Sequence, residues 1–343
     1  MKKRPKKRSR SLKKYQMFKA KLNPNFFTNP KLIEQREGVA WALKKLGKNK
    51  KVVVLSADLE ESTRVSGFKK EYPERFFEVG VAEQSLAGIA AGLASCGKIP
   101  IISSFGVFSP GRNWEQIRIS ICYSKLPVVI LGSHAGLSVG ADGASHQALE
   151  DIALTRVLPN LCVVAPCDAQ ELEKAIVEAV RLKHPTYIRF HRQKLPLITQ
   201  QSAGFKIGKA EIFCQGRDVT LIACGSMVEP SLRAACELER EKIKVELINL
   251  HTIKPLDEES ILSSAKNTGA VVCAEEHQIF GGMGSAVAQL LAQKYPVPVE
   301  FIGVKDSFGD SGEAGELLEK YGLTKDMIKT KIKTAIQRKN LLR

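Results

Sequence analysis

Short, almost wholly apolar runs recur along this chain, and stretches with helical spacing separate them. In the first half the runs are Val52–Ser56, Pro100–Ser104, Pro127–Gly132, Cys162–Ala165 and Thr186–Phe190. Helical patterns lie at Ala82–Ser95, Asn113–Tyr123, Gln147–Arg156 and Ala169–Leu182. A strand that is apolar on both faces must be covered on both, so the alternation implies a mostly parallel sheet with helices on each side. From His191 to Lys206 the periodicity lapses into a polar stretch, which reads as a linker. A second alternation follows, with strands at Val219–Ala223, Val245–Leu250, Ala270–Ala274 and Val299–Val304. Its helices fall near Pro230–Glu241, Glu258–Lys266 and Ser285–Lys294. The expected fold class is therefore α/β, as two doubly wound domains: a larger one at 29–195 with a mostly parallel sheet, and a smaller one at 206–340. A basic, disordered tail at 1–28 precedes them.

Composition matters here mainly through where the charge lies. The formal net charge is +16, but residues 1–21 hold eleven Lys or Arg and no acid, leaving 41 basic against 36 acidic residues elsewhere. Such a segment lacks the apolar content to fold alone. It reads as a solvated extension, or as an electrostatic arm for nucleic acid or an acidic partner. Lys dominates it and no amphipathic stripe is visible, which argues against a transit peptide. No apolar stretch approaches the roughly 18 residues that a membrane-spanning helix needs. The eight cysteines form no C-x-x-C pair and have no His at zinc spacing, the pattern of reduced, buried thiols in a cytoplasmic protein.

Two segments carry candidate chemistry. In Phe76-Phe-Glu-Val-Gly-Val-Ala-Glu83 a strand runs into a helix rich in Ala and Gly, whose small residues permit close backbone approach, as in a tight interface. Glu83 falls in the first turn, where a carboxylate either complements the helix dipole or does chemistry. The second segment, from Gly132 to Gln147, places His134, Asp142 and His146 in a Gly-rich loop between a strand end and the next helix. Open α/β sheets bind ligands at that position, and these side chains can donate, accept and titrate. Gly281-Gly-Met-Gly284 opens a helix but lacks the full G-x-G-x-x-G pattern, so a packing turn is the better reading. Asn249–Asp257 reads as a strand exit followed by a helix start.

Taken together, Gly80-Val-Ala-Glu83-Gln84, the Phe105–Phe108 pair, the Asp142-Gly-Ala-Ser-His146-Gln147 loop and Arg192-Gln193 resemble the C-terminal half of a transketolase, in order and in spacing. The resemblance implies a pyrimidine-binding domain of thiamine diphosphate enzymes, followed by their smaller C-terminal domain. Glu83 matches the glutamate at the aminopyrimidine nitrogen of thiamine diphosphate, where a carboxyl exchanges a proton and favours the imino tautomer. Phe105 and Phe108 match residues that wall and stack on that ring. Asp58 matches a cofactor-side aspartate and Ser62 a substrate-phosphate contact. Arg36, His134, His146 and Arg192 match residues lining the sugar channel, and Asp142 the acid that reads a donor hydroxyl. On this basis Glu83, His134 and His146 are the catalytic candidates. The sequence departs from the family at Gly111, where a further aromatic is common, and at Ala144-Ser145, where Pro-Thr is common.

The family holds its cofactor's diphosphate through a magnesium ion bound by a Gly-Asp-Gly motif with a later Asn, and that arrangement is missing from the sequence. The chain thus resembles one subunit of a split transketolase. A separate N-terminal subunit would supply the Mg2+ and diphosphate site, in a two-plus-two heterotetramer acting on the sugar phosphates of the pentose phosphate pathway. Two relatives compete. 1-Deoxyxylulose-5-phosphate synthases usually have Arg at His134, and the beta subunits of 2-oxo acid dehydrogenases lack the D-G-x-x-H-Q loop. A non-enzymatic, nucleic-acid-binding role for the basic tail is the third alternative. The set Glu83, His134, Asp142, His146 and Arg192 argues against it, because binding alone needs none of them together.

Overall fold

The computed structural model describes Phe18 and residues 22–342. The first sheet is built from β1 to β8 less its two antiparallel outliers. In chain order these strands are β1 (Leu32–Glu34), β2 (Val52–Ser56), β3 (Phe76–Glu78), β4 (Ile99–Phe105), β5 (Val129–Ser133), β6 (Cys162–Val164), β7 (Thr186–Arg189) and β8 (Lys194–Pro196). Strands β2 to β7 run parallel in the order β6-β7-β5-β4-β2-β3. The apolar runs of β2, β4, β5 and β7 are buried on both faces, as the sequence pattern requires. β1 and β8 pair separately, antiparallel, with Leu32 opposite Pro196.

The second half adds β9 (Glu211–Cys214), β10 (Val219–Ala223), β11 (Val245–Asn249), β12 (Thr252–Lys254), β13 (Val271–Gln278) and β14 (Val299–Val304). Five of these form a sheet ordered β14-β13-β10-β11-β9, in which only β9 is antiparallel. β12 leaves its own domain and pairs antiparallel with β6, completing a seven-stranded first sheet. A single apolar cluster joins Val53, Ile102, Ile130 and Tyr187 to Ile222, Ile248, Ile253 and Met283. The two domains therefore share a core as well as a sheet.

Several expectations need correction. The polar stretch at 191–206 is not a solvated linker: Leu195, Leu197 and Ile198 are buried, and β8 lies within it. Its polar residues are bonded inward; Asp168 accepts from the backbone N–H of Ile198 and Thr199 at 2.7 and 2.6 Å and also caps the helix Ala169–Leu182. The assigned tail extends too far: Phe26 is fully buried against Phe27, and the Asn23 N–H donates to Ile198 at 2.7 Å. The disorder assigned to residues 1–21 falls outside the described residues, Phe18 excepted. The helix assigned to 147–156 begins only at Asp151, because Ala148, in the preceding loop, bridges to Ala135 just beyond β5. The pattern at 113–123 is a short helix, Trp114–Gln116, that widens to a π-helix over Ile117–Tyr123. The final helices, Ala314–Lys320 and Lys325–Leu341, are additional. Their buried residues, such as Ile328, Ile332 and Ala335, are too sparse among lysines to stand out in the sequence.

Between the layers lies a buried charge pair. Arg189 Nε donates to Asp151 at 2.9 Å, Tyr187 donates to the same carboxylate at 2.8 Å, and Arg189 also reaches the Glu276 carbonyl at 3.1 Å. Glu276 belongs to β13, so this network ties the two sheets together.

Candidate active site

Parallel strands place all their carboxyl ends on one edge, and the candidate residues issue from five neighbours there. Asp58 and Ser62 follow β2, and Glu83 follows β3. Phe105 ends β4, with Phe108 beyond it. His134, Asp142 and His146 follow β5, and Arg192 follows β7. Arg36 joins them from the N-cap of the helix Glu37–Leu46, with Nη1 on the Ser62 carbonyl at 2.9 Å.

The aromatic and imidazole rings form one cluster. Phe105 stacks on His134 at a centroid distance of 3.8 Å and lies 6.0 Å from Phe108. His146 meets Phe108 edge-on at 5.5 Å and Phe105 at 6.0 Å. His134 has a left-handed backbone, φ +55°, which is uncommon outside glycine and tends to cluster at functional sites. Burial first, and then the charges of Arg192, Arg36 and His146, push its pKa down to about 3. The His134 ring is thus neutral, and its Nδ1 pairs with the Ser133 hydroxyl at 2.7 Å. His146 Nδ1 pairs with the Ser145 hydroxyl at 2.9 Å. Among the described residues, Nε2 of neither ring makes a hydrogen bond.

Glu83 opens the helix Glu83–Ser95 with its side chain 2% exposed. The Ser104 hydroxyl donates to one carboxylate oxygen at 3.3 Å, and Arg112 Nη1 to the other at 3.3 Å. The Arg112 guanidinium also lies over the Phe108 ring, 4.0 Å from its centroid. A flat cation is thus held between a carboxylate and an aromatic face. Sequence reasoning missed Arg112; its signal was the placement one turn beyond Phe108, where the departure at Gly111 drew attention instead. That departure has a local cause, since a Cβ at Gly111 would collide with the Val107 carbonyl oxygen.

Not every candidate is tied to the cluster. The Asp58 side chain is exposed, and the residue is held through its N–H, which donates to Glu78 at 2.7 Å. Ser62 takes part through its carbonyl only. Arg192 and Asp142 form a half-exposed ion pair at 3.0 Å on the rim. The turn at Gly282–Gly284 is filled by the chain itself, because Glu275 accepts from the N–H groups of Met283 and Gly284 at 2.7 and 2.8 Å. Among the described residues no group of three His, Cys, Asp or Glu side chains could hold a metal ion, and no helix is long and apolar enough to cross a membrane.

The transketolase pyrimidine-binding domain model matches residues 32–198, and the transketolase C-terminal domain model matches 208–328. The chain belongs to the transketolase family. It is 45% identical to a putative transketolase C-terminal section of Methanocaldococcus jannaschii, over 87% of this chain and 94% of that one. It is also 40% identical to a 6-deoxy-6-sulfo-D-fructose transketolase subunit of Clostridium sp. strain MSTE9, over 85% and 91%. A solved structure described as a split gene transketolase, inactive beta4 tetramer, superimposes with a TM-score of 0.84 at 47% identity, covering 90% of this chain and 99% of that one. This transketolase-family chain thus corresponds to a C-terminal half, with both of that half's domains present. Its departure at Ala144-Ser145 is a mild one, because the Ser145 hydroxyl engages His146.

The neutral state of His134 is open to measurement. Because its folded pKa is depressed below the unfolded value near 6.5, protonation favours unfolding, so this ring withdraws stability as pH falls below about 6.5. In nitrogen-15 spectra of the histidine rings, the His134 resonances should stay those of a neutral imidazole from about pH 8 down to about pH 5. A titration midpoint near pH 6 would mean that the ring is solvated and not packed on Phe105.

Proposed function

We propose that this chain is the C-terminal subunit of a split, thiamine diphosphate-dependent transketolase. It moves a two-carbon ketol unit from a ketose phosphate to an aldose phosphate in company with a separate N-terminal subunit. The observation that carries the reading is the convergence of Glu83, Phe105, Phe108, His134, His146 and Arg192 on the carboxyl ends of neighbouring strands.

The residues suit the cofactor's aminopyrimidine. The Arg112 guanidinium, planar and rich in donors, already lies between the Glu83 carboxylate and the Phe108 face, so the slot accepts a flat, nitrogen-bearing ring. When bound, thiamine diphosphate supplies the carbon nucleophile that carries the two-carbon unit. The protein's part is to hold and exchange a proton at the ring nitrogen through Glu83, and to fix the ring plane with Phe108 and Phe105. Arg112 is half exposed and can swing aside toward solvent. Asp58 is given to the cofactor on the family resemblance, and the magnesium ion and the diphosphate fall to the partner.

At the sugar end, His134 and His146 present their Nε2 atoms to substrate oxygens, and Asp142 reads a donor hydroxyl. Arg192 and Arg36 form the phosphate end, with Arg36 held in place by the Ser62 carbonyl. The rim pair Arg192–Asp142 is exposed enough that opening it costs at most about 1 kcal/mol, so a phosphate can claim the guanidinium. A need for a partner also fits the surface: Val81 and Ile89 around the Glu83 helix, and Phe280 and Phe308 in the second domain, are exposed apolar side chains.

Three measurements test this reading. The purified chain alone should show negligible ketol transfer, and mixing with an N-terminal transketolase subunit should restore it in a two-plus-two assembly; full activity from this chain by itself would remove the partner. Glu83→Gln keeps the shape but cannot exchange the proton, so turnover of the reconstituted enzyme should fall toward the upper part of about 10²–10⁴-fold while assembly survives. Near-normal turnover would show that Glu83 has another role. Arg192→Ala should raise KM for sugar phosphates by about 10–150-fold, the weight of a hydrogen bond to a charged group, and leave a small unphosphorylated donor little affected. Equal effects on both donors would remove the phosphate role, and activity with pyruvate only would favour a synthase.

A further inference from the structure

Successive side chains on a strand point to opposite faces, and β13 uses this to send two adjacent buried carboxylates in opposite directions. Glu275 turns to the start of the helix Met283–Lys294. Glu276, 1% exposed, turns to the other domain. One of its oxygens accepts the backbone N–H of Ser138 at 2.7 Å, in the middle of the loop between His134 and His146. The other accepts the Ser226 hydroxyl and lies 3.3 Å from Nδ1 of His191.

His191 extends the same support. Its burial favours the neutral ring, and Nδ1 donates to the Ala135 carbonyl at 2.8 Å. Its backbone N–H donates to the Gln35 side chain at 2.7 Å. Ala135 follows His134 directly, and Arg192 follows His191. The loop is shaped around the carboxylate: Gly136 has φ +82°, and a Cβ there would strike the Glu276 carboxyl group.

We propose that Glu276, a residue of the C-terminal domain, is a positioning residue for the sugar channel: by holding Ser138 and His191 it fixes where His134 and Arg192 stand. The C-terminal domain then takes part in ketol transfer without touching the substrate. The proposal rests on the reading of His134 and Arg192 as sugar-channel residues.

The test is steady-state kinetics and thiamine diphosphate titration of the reconstituted complex with Glu276→Gln, Glu276→Ala and a control, Leu232→Ala, in the core of the same domain. Glutamine can accept from Ser138 and donate to the Ser226 oxygen, so that variant should stay within about 3-fold of the parent. Alanine leaves the Ser138 N–H unpaired in a buried place and should raise KM for sugar phosphates roughly 5- to 100-fold, with cofactor affinity unchanged. If the alanine variant does not assemble, Glu276→Asp, which withdraws the carboxylate by one methylene, is read in its place. The control should lower Tm with KM unmoved. KM rising in Leu232→Ala in proportion to lost Tm, or an unchanged KM in both Glu276→Ala and Glu276→Asp, would overturn the proposal. A silent Arg192→Ala beside an effective Glu276→Ala would instead fault the sugar-channel reading.

Discussion

Alignment of strand ends is the constraint from which the rest of this structure follows. Six consecutive strands of the first sheet run the same way, so each crossover delivers its outgoing loop to the same edge. Residues as far apart in sequence as Arg36 and Arg192 meet there without any long excursion of the chain. Their convergence puts cations around a neutral His134, and that neutrality is itself a result of the packing.

The polar groups beneath that edge show what holding such a site involves. Glu83, Asp151, Arg189 and Glu276 are all buried, and each has a hydrogen-bonded partner: Ser104 and Arg112, Tyr187 and Arg189, Asp151, Ser138 and Ser226. A buried pair of this kind contributes little net stability, but removing one member leaves an uncompensated charge and costs about 3–5 kcal/mol. The arrangement therefore favours definite geometry over maximal stability. Burial likewise pushes Glu275 and Glu171 up to about 7, despite the backbone N–H groups that each accepts.

Much of this was legible in the sequence. Uninterrupted apolar runs at β2, β4, β5 and β7 fixed the parallel sheet, because only a doubly covered strand tolerates them. The loop from Gly132 to Gln147 and the helix start at Glu83 were legible because chemistry-bearing residues sat where strands end. What stayed hidden has a common cause, namely partners distant in sequence. β8 looked like linker because its pairing with β1 spans most of the first domain. Phe26 looked like tail because the apolar cluster that buries it is assembled from residues far along the chain, such as Ile198 and Phe213. Arg112 and Glu276 carried no motif; their importance lies in which atoms they face.

β12 gives the molecule a further property. Because this strand of the second half closes the β6 edge of the first sheet, and the apolar cluster runs on beneath it, the two halves are not beads on a string. Cutting the chain near residue 206 and parting the pieces would bare a row of unpaired backbone groups on β6, the kind of edge that recruits other strands. Either domain taken alone would carry an open edge or a strand with nothing to pair with.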